Sequence, residues 1–122
     1  SEVTELITEL WKGTLVSRSS SDYILDLMRG QLVNTKYGAV IPREHLANKT
    51  GELADVSHDS GVITLPGREI ALTTTTAYSG LPQTEVNQYV QETARIAYRF
   101  AQSALPGDKG NRPANSYCRG SH

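Results

Sequence analysis

Lys49, Thr50 and Gly51 stand in succession between an extended approach, Leu46-Ala47-Asn48, and a strand-like run from Val56 to Ile63. At the lip of a strand this triplet can hold an anion in three ways. The ammonium supplies charge, the Thr50 hydroxyl supplies a hydrogen bond, and Gly51 removes the Cβ that would keep a ligand from the backbone. On an edge strand an exposed N–H can then point at a developing oxyanion. The same tripeptide also describes a solvated lysine before a turn glycine, so the triplet alone leaves both readings open.

Other residue types narrow the chemistry. His58 and Asp59 lie on the following strand. His58, neutral or partly protonated, could add a weak, pH-dependent contact to an anion, whereas Asp59 would oppose one. The alternative is that the two pair with each other or with the loop. His45 has no carboxylate or cysteine at ligand spacing and reads as a surface or loop residue. A zinc site from His45, His58 and Cys118 fails because the spacings match no structural or catalytic pattern. Cys118 is the single cysteine, so no internal disulfide can form. Tyr89 and Tyr98 read as packing residues, and Tyr78-Ser79-Gly80 as a turn. No serine is followed three positions on by lysine. No cofactor is expected.

These residues need positioning elements, and 122 residues suffice for one ordinary domain. A hydrophobic fraction of 38% and a mean hydropathy of −0.40 are low for a self-sufficient core of that size. Some buried faces are therefore expected to belong to something else. A net charge of −1 gives no electrostatic footprint for nucleic acid or an anionic membrane. Apolar runs fall far short of the roughly 20 residues a membrane span needs. No signal peptide is visible, and Ser1 opens directly into a helix, as expected if the natural N-terminus lies elsewhere. Residues 104–122 read as a flexible tail, ending in Arg119-Gly120-Ser121-His122, which resembles an expression-tag remnant.

Within residues 1–103 the periodicity predicts two helices, a loop, three antiparallel strands and a helix, an α+β arrangement. Ser1 caps the first helix, in which Val3, Leu6, Ile7 and Leu10 form one stripe. Ser19 with Asp22 starts the second, whose apolar face is Ile24, Leu25, Leu27 and Met28. Gln31 to Glu44 reads as a loop. Strands are expected over Leu46–Gly51, Val56–Leu65 and Glu69–Ala77, the last two joined by a Pro66-Gly67 turn. Thr84 is expected to cap the final helix, with Val86, Tyr89, Val90, Thr93, Ile96, Ala97 and Phe100 facing inward and an end near Ser103.

The order of these elements, from Glu2 to about Ala101, resembles the C-terminal part of the penicillin-recognising serine hydrolases, in particular class A β-lactamases. The resemblance implies that Lys49 contacts the substrate carboxylate and supports proton movement near the nucleophile. It implies that Thr50 binds the same carboxylate and that the Glu52 backbone N–H forms half of an oxyanion hole beside Gly51. The family's nucleophilic serine with its lysine, its Ser-Asp-Asn loop and its deacylating glutamate have no counterpart here; Ser21-Asp22 precedes a helix in the wrong place. Many class A enzymes carry an arginine on the strand after Lys-Thr-Gly; this chain has Ser57-His58-Asp59 near that point. The implied ligand is a β-lactam or a D-Ala-D-Ala-like small molecule, and the implied location is periplasmic or secreted. A penicillin-binding D,D-peptidase or esterase shares the same wall, and a non-catalytic anion-binding domain is the rival of a different class. The resemblance also implies a partner, either the missing N-terminal half or a second copy. The chain alone is expected to be inactive.

Overall fold

The computed structural model describes residues 1–103; the tail, Cys118 and the tag-like ending lie outside the described residues. Helix α1 (Glu2–Lys12) is capped by Ser1, and its C-terminal Gly13 takes the left-handed conformation at φ 75°. Helix α2 (Arg18–Arg29) is capped by Ser17 rather than Ser19. Ser17 has the extended backbone a cap requires, and its hydroxyl accepts the Ser20 amide at 3.1 Å. The segment expected to be loop contains a four-residue helix, α3 (Tyr37–Val40), and a 3-10 turn over Arg43–His45. A single turn this short leaves almost no periodic signal. Burial of Tyr37 and Ile41 in the core is what holds it.

Strands β1 (Leu46–Leu53), β2 (Val56–Leu65) and β3 (Arg68–Ala77) form an antiparallel sheet in the order β1-β2-β3. β1 runs past Gly51, because Glu52 and Leu53 pair with Ser57 and Val56. Lys49 is consequently in mid-strand, not at a strand end. Gly67, at φ 75°, makes the β2–β3 turn that Pro66 initiates.

Alternation along the strands gives the sheet two different faces. Leu46, Ile63, Ile70 and Leu72 project to one face, where α3 and helix α4 (Gln83–Ser103) close the main core with Tyr37, Ile41 and Val90. Full burial of Leu46, Ile63 and Val90 contributes about 1.5–3 kcal/mol each, and the half-buried Ile70 and Leu72 less. The opposite face, with Ala47, Val62 and Thr73, is covered by α1 and α2 through Leu10 and Leu25. Leu6 and Leu27, by contrast, are left 50% and 59% exposed, so each helix has apolar side chains that no described residue covers.

Helix α4 differs from its expected form at both start and face. It begins at Gln83, and the Pro82 carbonyl takes the first helical bond from Val86 at 3.2 Å, which puts Thr84 inside the first turn instead of at the cap. Its buried stripe is Val86, Asn87, Val90, Ala94 and Ala101, while Tyr89 and Ile96 are 62% and 61% exposed. The small alanines let the helix approach the sheet closely, so steric fit outweighs residue hydrophobicity in setting its rotation.

Gly61 shows how tight the β1–β2 contact is. A Cβ built there would lie 2.3 Å from the Ala47 carbonyl and 2.8 Å from the Asn48 Cβ. Gly61→Ala is expected to destabilise the fold by about 3 kcal/mol, the upper part of the overpacking range. The shift in urea midpoint measures this; a loss below about 0.5 kcal/mol would mean that the strands part easily at this point.

Candidate functional site

The site is built on β1, whose outer edge carries no further strand in the described sheet. Lys49 is exposed, and its ammonium donates to the Thr50 carbonyl at 2.6 Å. That carbonyl must therefore face away from β2. In an antiparallel ladder the N–H and C=O of one residue point the same way and alternate with those of the next. Asn48, Thr50 and Glu52 thus direct their backbone groups outward, and the Glu52 amide stands on the open edge.

Side chains leave β1 in the perpendicular direction. Lys49 and Gly51 share the α1–α2 face with Ser60 and His58; Thr50 and Glu52 share the other face with Asp59 and Ser57. The Thr50 hydroxyl accepts from Gln31 Nε2 at 3.4 Å. Lys49 and Thr50 can act on one anion only where the two faces meet, at the outward edge. A Cβ built on Gly51 meets nothing within 4 Å, so the backbone there is open to close approach.

His58 lines the same groove as Lys49, an apolar cleft of about 550 Å³ whose walls include Leu6, Ile7, Leu10 and Ile24. Its Nδ1 accepts the Thr76 backbone N–H at 3.2 Å, so in the neutral ring the proton sits on Nε2. His58 and Asp59 do not pair, because neighbours on a strand face opposite ways. Asp59 does not oppose an anion in the groove either. It is fully buried on the α4 side, accepting Asn48 Nδ2 at 2.9 and 3.0 Å and the Tyr37 amide at 3.0 Å.

Around Asp59 lies a polar cluster that sequence reasoning missed. The Lys36 ammonium, fully enclosed, pairs with the Glu52 carboxylate and acts electrostatically on Asp59. The Tyr37 hydroxyl bonds Thr74 Oγ1 at 2.6 Å, and burial pushes its ionisation up. Burial also raises the Asp59 carboxyl above the usual carboxylate range, against the pull of Asn48, the Tyr37 amide and Lys36. One signal could have found it: Ser57, Asp59, Gly61 and Ile63 are at period two, placing the carboxylate on the face with Ile63. His45, which has no carboxylate or cysteine at ligand spacing, has its Nδ1 2.8 Å from the Tyr98 hydroxyl. Among the described residues no group of His, Cys, Asp and Glu could hold a metal ion.

Comparison with known proteins bears on the family and the fold. A family model described as the β-lactamase enzyme family matches residues 1–101. Among solved structures, a β-lactamase from Sphaerobacter thermophilus DSM 20745 is similar, with a TM-score of 0.75 and 22% identity over 85% of this chain. PBP-A is also similar, with a TM-score of 0.69 and 23% identity over 83% of this chain. So is a PBP-A mutant in acyl-enzyme complex with penicillin G, with a TM-score of 0.68 and 23% identity over 83% of this chain. The chain spans 40%, 38% and 39% of those three proteins, respectively. At these identities the likeness shows the shared α+β fold. No curated protein matches.

The raised carboxyl of Asp59 gives a signed pH dependence. The folded state holds this proton more tightly than the unfolded state does. The group's favourable contribution is therefore complete below its ordinary value of 3.8 and is lost as pH rises through the elevated folded value. Urea unfolding of the protein and of Asp59→Asn across acidic to neutral pH isolates it. The stability difference, wild type minus variant, is expected to fall as pH rises; a difference that rises would mean that Lys36 and the hydrogen bonds outweigh burial.

Proposed function

The chain belongs to the β-lactamase enzyme family, and from that premise we propose that it supplies the sheet wall of a serine acyl-transfer site acting on β-lactams. The observation that carries this reading is the convergence at the outer edge of β1. The Lys49 ammonium reaches that edge, donating to the outward Thr50 carbonyl; the Glu52 amide faces outward on it, and Thr50 lines one groove with Lys49. A substrate carboxylate held by Lys49 and Thr50 puts an adjacent acyl carbonyl against that amide. Charge developing on the carbonyl oxygen is then met by a preorganised donor, the interaction that lowers the barrier to acyl transfer.

The nucleophile and its base are expected in polypeptide beyond these residues, since the chain spans about two fifths of the structures it resembles. That polypeptide would cover the exposed parts of α1 and α2 and pair the free sheet edge; a second copy of this chain is the alternative cover. A periplasmic or secreted location follows from the same reading. No described helix is long and apolar enough to cross a membrane.

A second reading, a D,D-peptidase acting on D-Ala-D-Ala-like peptides, is favoured by one feature. His58 stands on β2 near where many class A enzymes carry an arginine, and an imidazole instead of a guanidinium lines the groove there. Such a wall binds the carboxylate through Lys49 and Thr50 with less added charge.

The test uses the natural polypeptide that contains these residues. Lys49→Ala is expected to lower kcat/KM for a β-lactam or a D-Ala-D-Ala peptide by about a hundred- to a thousandfold, the scale of losing one preorganised electrostatic group. An unchanged value would return Lys49 to a solvated strand residue. The 122-residue chain alone is expected not to turn over nitrocefin, because it has no serine with a lysine three positions on. Burst kinetics traced to one of its own serines would overturn the assignment.

A further inference from the structure

Lys36 has no solvent exposure. An enclosed ammonium is unfavourable unless charged partners compensate it, and here they come from two strands. Glu52, near the end of β1, pairs with it directly. Asp59, on β2, interacts with it electrostatically while accepting the Tyr37 amide at 3.0 Å. Lys36 immediately precedes α3, so the ammonium, the first amide of α3 and Asp59 form one buried unit. Glu52 is the link from this unit to the outer strand.

Glu52 also carries the outward amide on the β1 edge. Its carboxylate leaves the strand towards Lys36, while its N–H lies in the plane of the sheet. Only Leu53 follows before the Ala54-Asp55 turn, and Leu53 is 72% exposed, which gives the strand end little packing. Strand ends with few buried contacts are where local opening concentrates.

We propose that Lys36 is a positioning residue for the Glu52 amide: its enclosed ammonium clamps the Glu52 carboxylate beside Asp59 and so fixes β1 beyond Gly51 without touching the bound anion. The proposal rests on reading the β1 edge as an acyl-transfer wall and extends that wall to a residue outside the Lys-Thr-Gly triplet. It also separates two roles for Lys36. If it only neutralised Asp59, removing the Glu52 side chain would change nothing at the edge.

Two variants of the natural polypeptide test this: Lys36→Met, which removes the charge at similar length, and Glu52→Ala, which keeps the amide and leaves Lys36 with Asp59. Both are expected to lower amide order parameters at Gly51 and Leu53 from about 0.85 to below about 0.6, while Ala47 and Val62 stay rigid. The acylation rate by penicillin G is expected to fall about ten- to a hundredfold, with the preceding noncovalent Kd held within about twofold. Unchanged order parameters in Glu52→Ala overturn the proposal, and this exposed substitution decides the matter even if Lys36→Met fails to fold. Loosening without slower acylation also overturns it. If the unsubstituted polypeptide is not acylated at all, the acyl-transfer reading fails, and the order parameters still decide whether Lys36 positions the edge.

Discussion

The Asp59 carboxylate of β2, enclosed between sheet and α3, ties its strand to two other parts of the chain, β1 and the start of α3. It accepts the Asn48 side chain from β1, the Tyr37 amide from α3, and the field of Lys36. Each unmade bond to a buried carboxylate is expensive, so this arrangement tolerates little displacement. Asn48 is one residue before Lys49. A slip of β1 by one position would turn Asn48 to the wrong face and leave Asp59 without that donor. The register that puts Lys49 on the groove face, Thr50 on the other and the Glu52 amide outward is thus enforced from beneath by a polar contact, as well as by the hydrophobic pairing of Leu46 with Ile63.

The apolar structure complements this node without duplicating it. Leu46, Ile63 and Val90 give cohesion to the end of the sheet nearer the β2–β3 turn, and hydrophobic burial is indifferent to direction. Towards the Lys-Thr-Gly end the same face turns polar, with Asn48, Asp59, Thr74 and Ser57 replacing aliphatic side chains. Hydrogen bonds there supply the angular definition that packing lacks. Gly61 permits it, since only a residue without a Cβ allows Asn48 to lie against β2.

Much of this was legible in the sequence. The three strands, the Pro66-Gly67 turn and the first helix with its Ser1 cap all follow from period, turn chemistry and capping. What was not legible depended on partners distant in sequence. Asp59 reads as a neighbour of His58 until the alternation of the strand sends the two to opposite faces. Lys36 and Tyr37 sit in a stretch rich in Asn, Gly and Pro, and nothing local marks either as buried. The rotation of α4 was misjudged because large apolar residues such as Ile96 and Tyr89 outweighed Ala94 and Ala101, whose small size is what lets the helix reach the sheet. The contact of His45 with Tyr98 was not legible for the same reason: Tyr98 reaches it only through the packing of α4.

The proposed action of Lys49, Thr50 and the Glu52 amide on one substrate at this edge is open to a direct measurement, a crystal structure of the full polypeptide acylated by a penicillin. The acyl oxygen is expected about 3 Å from the Glu52 nitrogen. The carboxylate is expected within hydrogen-bonding reach of the Lys49 ammonium and the Thr50 hydroxyl. An acyl group seated against another element, with the β1 edge facing water, would contradict the assignment of this edge as the substrate wall.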